Sequence, residues 1–322
     1  MTSVFFLGAT GYIGGAVLVA LKSVHPELEI TALVRSQEKA TAVQRAGAAK
    51  VIIGSHDEVE KIQSKSAESD IVVNAADADD LPLTIAIIAG LKERAKLGLK
   101  PILLHTSGTG VVSVNTKGGF TPDAEKIWND NKEDDIRSIS PSQPHREIDL
   151  EIFKADEEGI ISAYIIAPST IYGVGSGPVN KTSQQIPKMI RVAVERKQTV
   201  YAGEGTNKWN NVHIHDLTDL YDLVFNLAIS GKDTAKSPFE KFYFGSVGEH
   251  TWGEVARDIA PLLHKRGLVN SDQAISVPVS EKPGVTATTS RSVSERGFAL
   301  GWKPKSKSYK ESLGEDVEMT IA

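Results

Sequence analysis

The sequence predicts an α/β fold built on a doubly wound parallel sheet. Three observations carry that expectation. Short apolar runs alternate with helical stretches as far as residue 167. The runs are bounded by turn residues at the pace of strand–helix–strand units, which argues a parallel sheet covered on both faces. The first run, Val4-Phe5-Phe6-Leu7, passes directly into a glycine-spaced turn and a helix start.

That opening is the most informative stretch. Gly8, Gly11 and Gly14 stand three residues apart between a clean strand and a clean helix, within Gly8-Ala9-Thr10-Gly11-Tyr12-Ile13-Gly14. The pattern fits a dinucleotide-binding turn. Gly8 would let the chain bend sharply off the strand, Gly11 would leave room for a pyrophosphate, and Gly14 would let the helix pack closely. The helix start adds free N–H groups and the positive end of a dipole. Thr10, Tyr12 and Ile13 complete the expected phosphate cradle.

The second strand is Glu29–Val34, and its tip chooses the cofactor. An acid there would bind the ribose hydroxyl of NAD, whereas an arginine accommodates the 2′-phosphate of NADP. Arg35 and Ser36 stand at the tip, with Lys39 nearby and no acid before Glu38. NADP is therefore favoured over NAD. A helix is predicted from Gln37 to Ala46, then a third strand at Lys50–Ile53. Asp57 follows that strand, where an adenine would lie. A fourth strand ends in Asn74, with Ala75 and Ala76 small enough for a cofactor to rest against backbone. Thr84–Lys96 reads as an amphipathic helix. A fifth strand, Ile102–Thr106, leads into Ser107.

Residues 111–143 read as loop, with a short helix near Asp123–Asn129. A helix is predicted from His145 to Glu158, then a sixth strand over Ile161–Ala167 and the turn Pro168-Ser169-Thr170. Further helices are predicted over Ile186–Arg196, Leu217–Ile229 and Trp252–Leu263, with Lys241–Gly245 returning to the sheet and a helix-rich tail.

Composition narrows the function classes. The 322 residues suffice for one large domain or two coupled ones, 40% are apolar and 24% charged. A net charge of -5 disfavours a sequence-independent grip on nucleic acid or on an anionic membrane. The absence of cysteine removes thiolate catalysis and cysteine metal sites. No run approaches the roughly 18 apolar residues of a membrane span. No basic region precedes the first apolar run, so a cytoplasmic protein without a signal peptide is expected. The sequon Asn180-Lys181-Thr182 is then incidental. His213-x-His215 has ligand spacing on a strand face, but no further ligand cluster accompanies it and no metal is expected. No Gly-x-Ser-x-Gly elbow supports a serine hydrolase.

By the sixth strand the chain resembles an extended, atypical short-chain dehydrogenase/reductase of the NAD(P)-dependent epimerase/dehydratase type, in a fungal-type subgroup. The stations are Gly8–Gly15, Thr106-Ser107-Gly108, Pro168 with Ile171-Tyr172-Gly173, Val212-His213 with Asp216-Leu217, and Leu300-Gly301-Trp302-Lys303-Pro304. The resemblance implies a Rossmann domain over 1–173 and 211–248, and a smaller, mostly helical substrate-binding lobe over 174–210 and 249–322. It implies a nicotinamide beside Pro168, Ser169 and Thr170, and a catalytic hydroxyl at Ser107 with Thr106 adjacent. The loop 173–178, Asn207, Trp209 and Asn211 would lie near a small-molecule substrate. A helix-packed homodimer is compatible with it.

One departure matters. The family acid/base is a tyrosine followed four residues later by a lysine, and none of the seven tyrosines here has that neighbour. The expected helix opens instead at His145, a residue type suited to acid/base work, with Asp149 one turn later to orient it. Tyr172 is a second candidate hydroxyl. The expectation is an NADP-dependent oxidoreductase, or an epimerase by transient oxidation, with a non-standard acid/base. The competing expectation is a non-catalytic NADP(H)-binding redox sensor.

Overall fold

The computed structural model describes residues 2–279 and 284–322. Seven strands form one parallel sheet: β1 (Ser3–Leu7), β2 (Glu29–Val34), β3 (Lys50–Ile53), β4 (Ile71–Asn74), β5 (Ile102–Thr106), β6 (Ser162–Pro168) and β7 (Phe242–Gly245). Their order is β7-β6-β5-β4-β1-β2-β3. The chain builds outward from β1 to β3, then returns to lay β4 on the other side of β1 in register, Val4 against Ile71 and Leu7 against Asn74. That reversal opens a crevice beyond the carboxyl ends of β1 and β4, the place where doubly wound sheets bind ligands.

The strands are apolar throughout because both faces are covered. Val4 and Phe6 of β1 enter one core with α1 (Tyr12–Val24), α2 (Gln37–Arg45) and, further along the chain, the helix Ile214–Ser230. Phe5 and Leu7 enter the opposite core with α3 (Val59–Ala67), α4 (Leu81–Ala95) and α5 (Arg146–Glu157). Successive side chains point to opposite faces, so one strand serves both. A third core gathers α6 (Gln185–Arg196), α8 (Trp252–His264) and α9 (Tyr309–Ile321) around Ile190, Trp209, Trp252, Ile259 and Leu313. The helix Ile214–Ser230 is α7. Its first turn is tied to the tail, since Asp216 O accepts from Trp302 Nε1 at 2.7 Å and Asp216 Oδ1 from Lys305 N at 2.9 Å.

Several boundaries differ from the sequence expectation. α3 is a helix that the sequence pattern did not announce, because only Ile62 and Ser66 of its nine residues are buried. α4 starts at Leu81, three residues early, since the Asp80 side chain caps it by accepting from Leu83 N at 2.9 Å. Of the helix expected near Asp123–Asn129 there is only a 3-10 turn, Pro122–Ala124, at its start. Trp128–Asn129 is instead a short strand that pairs with Ser292–Val293, and the helical turn falls at Glu133–Arg137. The pairing partner lies far along the chain, beyond the reach of any local pattern.

The glycine turn depends on backbone contact. Gly8 has φ +89, and a Cβ there would stand 2.2 Å from the Ala75 carbonyl oxygen. A Cβ on Gly14 would stand 2.3 Å from the Gly8 oxygen. Gly14→Ala is therefore expected to destabilise the fold by more than about 2 kcal/mol, as overpacking against backbone does. Gly314→Ala, with nothing within 4 Å of the added atom, should be neutral or slightly stabilising. Thermal melts of the two variants read the difference, and equal melting temperatures would refute the close-approach argument.

Candidate active site

The crevice is assembled from the carboxyl ends of β1, β2, β4, β5 and β6. At the β1 end, Gly11 N donates to Gly8 O at 2.8 Å and closes the turn. Gly11 is the N-cap of α1, no side chain caps that end, and its first turn holds no acid. These backbone N–H groups and the dipole suit an anion. Bare glycines, an uncapped helix and the small Ala75 and Ala76 opposite them fit a dinucleotide diphosphate. Thr10 and Ile13 are half-buried at this end, and Thr10 O accepts from Asn180 N at 3.3 Å.

Tyr12 is turned away from that berth. Its side chain is buried, and its hydroxyl donates to Gly173 O at 2.6 Å and Tyr172 O at 3.1 Å. The tyrosine therefore clamps the glycine-rich loop 173–178 to α1, and only its backbone remains for a ligand. A Cβ on Gly15 would touch Gly177 and Pro178 at 3.1 Å, so the same loop lies directly on the helix start.

At the β2 end, Arg35 is exposed, and neither it nor the Ser36 hydroxyl has a hydrogen-bond or ion-pair partner among the described residues. Gly54 N donates to Val34 O at 3.0 Å, which brings the loop after β3 alongside. Asp57 lies exposed in that loop and accepts from Ser55 Oγ at 3.0 Å. Asn74 is buried at the β4 end, where its Nδ2 donates to His105 Nδ1 at 3.2 Å and its Oδ1 accepts from Ala76 N at 3.3 Å. Its amide braces the wall and is not free for a cofactor. Burial pushes His105 down to about 3, so it stays neutral.

At the β5 and β6 ends the expected residues separate into two groups. Thr106 faces away, with its hydroxyl 2.7 Å from that of Tyr221 on α7. Ser169 N and Oγ both donate to Gly245 O, at 3.0 and 2.8 Å, and Thr170 is fully buried. With Pro168 also buried, the turn Pro168–Thr170 offers backbone more than side chains. Tyr172 has no catalytic geometry. It is buried, its hydroxyl donates to Lys307 O at 2.9 Å, and burial holds that phenol well above its ordinary value. The strand after β6 carries it toward α9 and away from Ser107. Asn207, Trp209 and Asn211 likewise hold structure: Asn207 Nδ2 and Trp209 Nε1 donate to Thr288 O, and Asn211 Nδ2 donates to His250 Nδ1.

Ser107 meets Asp149, and His145 Nε2 lies over Gly108, the residue after Ser107, in an arrangement the sequence did not foretell. Ser107 Oγ donates to Asp149 Oδ2 at 3.2 Å. Asp149 thus serves the serine and not the histidine. It is fully buried, Asp149 Oδ1 has no partner, and burial pushes the carboxyl up to about 7 against the pull of Ser107 and Arg146. His145 is held instead by Asp79, whose Oδ1 lies 2.7 Å from Nδ1. Asp79 was missed because Asp77-Ala78-Asp79-Asp80 reads as a polar helix start. Its signal was an acid just past a central strand's carboxyl end.

A separate cleft of about 430 Å³ opens in the third core, between α6 and the strand Val200–Ala202. Met189, Val192, Tyr201 and Trp252 line it, with Gln185 and Lys188 at its polar side.

A family profile described as the NAD-dependent epimerase/dehydratase family matches residues 4–234. The chain belongs to that family. It is accordingly an NAD(P)-dependent enzyme of oxidoreductase type. It is 28% identical over 338 residues to oxidase ucsJ of an Acremonium species, covering 94% of this chain and 92% of that protein. It is 25% identical to an uncharacterized protein of Schizosaccharomyces pombe, covering 98% and 99% of the two. The fold matches dTDP-glucose 4,6-dehydratase from Bacillus anthracis in complex with NAD, with TM-score 0.65, 18% identity and 99% and 96% coverage. It also matches a UDP-glucose 4-epimerase from Thermotoga maritima with UDP-glucose, with TM-score 0.69, 13% identity and 98% coverage of both chains. No helix among the described residues is long and apolar enough to cross a membrane.

The buried Asp149 carries a pH prediction. Its folded value near 7 lies above the ordinary 3.8. Between those values the folded chain holds a proton that the unfolded chain has released, so stability falls as pH rises through the window. Asp149→Asn cannot titrate and keeps an acceptor for Ser107. Its melting temperature should gain on the native chain as pH goes from 5 to 8. A gap that does not change with pH would contradict this.

Proposed function

We propose that this enzyme is an NADP-dependent oxidoreductase acting on a carbonyl or alcohol carbon of a small molecule, with epimerisation by transient oxidation as a variant of the same chemistry. The observation that carries the reading is the place of the Asp79-held His145, whose Nε2 lies over Gly108, the residue after Ser107, beyond the carboxyl end of β5. A bound nicotinamide supplies or accepts hydride at its C4. The chain's own residues do the rest. Backbone at Gly8–Gly14 holds the diphosphate, with Thr10, Tyr12 and Ile13 contributing main-chain groups. Ala75, Ala76 and the Pro168–Thr170 turn form the walls, and the loop with Asp57 borders the adenosine end. Arg35 and Ser36 take the 2′-phosphate, a role supported by their lack of a side-chain partner among the described residues. Ser107 turns its single O–H from Asp149 Oδ2 to donate to the substrate oxygen, and His145 gives that oxygen its proton on reduction or removes it on oxidation.

The lobe formed by 174–210 and 249–322 binds the body of the substrate. The cleft beside Trp252 has the size and mostly apolar lining of a small-molecule site. Its neighbours in fold are a dehydratase and an epimerase of sugar nucleotides.

Purified protein given NADPH and a broad panel of carbonyl compounds should consume the reduced cofactor, read by its near-ultraviolet absorbance. Tight cofactor binding without turnover would favour a redox-sensing protein instead. Arg35→Ala should weaken NADPH more than about tenfold, or about 1.4 kcal/mol, and leave NADH within about twofold. Equal losses would overturn the NADP assignment.

A further inference from the structure

We propose that Asp79 is the positioning residue of an aspartate–histidine dyad, and that His145 Nε2 is the atom that exchanges the substrate-oxygen proton. The proposal rests on the oxidoreductase reading above and assigns its acid/base to a pair drawn from two separate loops.

The first observation is a strained backbone. His145 is the N-cap of α5, yet it has φ +64 and ψ -18. An N-cap residue is ordinarily extended. A left-handed histidine persists only where its surroundings hold it there, and such outliers gather at functional sites. Here Ile148 N and Asp149 N donate to His145 O, both at 3.1 Å, and one carboxylate oxygen holds the other side of the residue. Asp79 Oδ1 accepts from the His145 backbone N–H at 3.1 Å and meets Nδ1 at 2.7 Å. The loop after β4 thereby grips both the main chain and the ring at the start of α5.

The second observation is where the other ring nitrogen lies. A Cβ on Gly108 would stand 3.2 Å from His145 Nε2, and one on Gly110 would stand 3.0 Å from it. The imidazole lies over the bare turn that follows Ser107. A carboxylate only accepts, so Asp79 fixes the neutral ring with its proton on Nδ1 and leaves the Nε2 lone pair free. When the ring is charged, Nε2 carries the proton it can give to an alkoxide oxygen. The ring then returns to the neutral Nδ1–H form and is reprotonated from solvent, to which its side chain is 23% exposed.

Other groups face this pair without replacing it. His105 on β5 is buried and neutral. Asp149, one turn along α5, is engaged by Ser107. The Arg146 guanidinium donates to Ile136 O at 2.6 Å. Asp79 itself is largely exposed, so its hold on the ring matters for geometry and tautomer more than for stability.

The test uses the NADPH-bound enzyme. Nitrogen-15 NMR of the histidine ring should show the neutral native His145 protonated on Nδ1, with Asp79→Asn shifting the population toward Nε2–H. In the same variant kcat should fall roughly 10²-fold or more with NADPH affinity within about twofold, as when a dyad loses its orienting carboxylate. Asp79→Glu should recover at least about tenfold of that loss. Gly110→Ala, which alters neither dyad residue, should lower kcat by displacing the ring. His145→Asn, a residue that tolerates the left-handed backbone, should be as inactive as Asp79→Asn or more so. A tautomer and a kcat unmoved by Asp79→Asn would overturn the dyad even in an enzyme that turns over. A tautomer governed by Asp79 in a protein that reduces nothing on the panel would overturn the oxidoreductase reading and, with it, the proton-exchange role.

Discussion

The structure hangs on one close approach of backbone to backbone. Where β1 ends, the chain bends at Gly8 against the Ala75 carbonyl, and α1 settles on that bend through Gly14. No side chain fits in either place. The contact fixes the first helix over the first strand and brings the tip of β4 beside it. It also leaves the uncapped end of α1 open toward the crevice. The main features proposed for cofactor binding follow from this seam, because the neighbouring strand ends are set by their register to β1 and β4.

Polar clamps tie the chain after β6 and the tail to the sheet domain at this point. Tyr12 reaches from α1 to the carbonyls of Tyr172 and Gly173, and Gly173 N in turn donates to Asp316 on α9. Ser290 Oγ donates to Thr109 O at 2.7 Å, tying the tail to the turn that carries Gly108 and Gly110. Residues expected at a cofactor or substrate, Tyr12, Thr106, Tyr172, Asn207 and Trp209 among them, turn out to spend their polar groups on such ties. A hydroxyl or amide buried at a strand end costs free energy unless it is bonded, and the nearest carbonyl satisfies it.

The acid/base question has the same logic. The family's tyrosine and lysine share one helix, so their spacing can be read along the chain. In this protein the imidazole and its carboxylate come from different connections, one after β4 and one before α5. Asp149, the residue at the helical spacing, is buried against Ser107 instead. Adjacency along a helix pairs the histidine with Asp149, whereas in space the acid that touches its ring is Asp79.

The sequence by itself determined the parallel sheet, the glycine turn, the arginine at the β2 tip and the absence of the tyrosine–lysine pair. Each is a local pattern: a period, a spacing or a residue type at a strand end. Tertiary structure decided what no window of neighbours contains. It paired Trp128–Asn129 with a strand over 160 residues away, made a helix of Val59–Ala67 on the strength of a single buried isoleucine and serine, and set Asp79 against His145. Those outcomes depend on which strand ends meet once β4 has crossed back beside β1, and a side chain's partner there is set by distance in space.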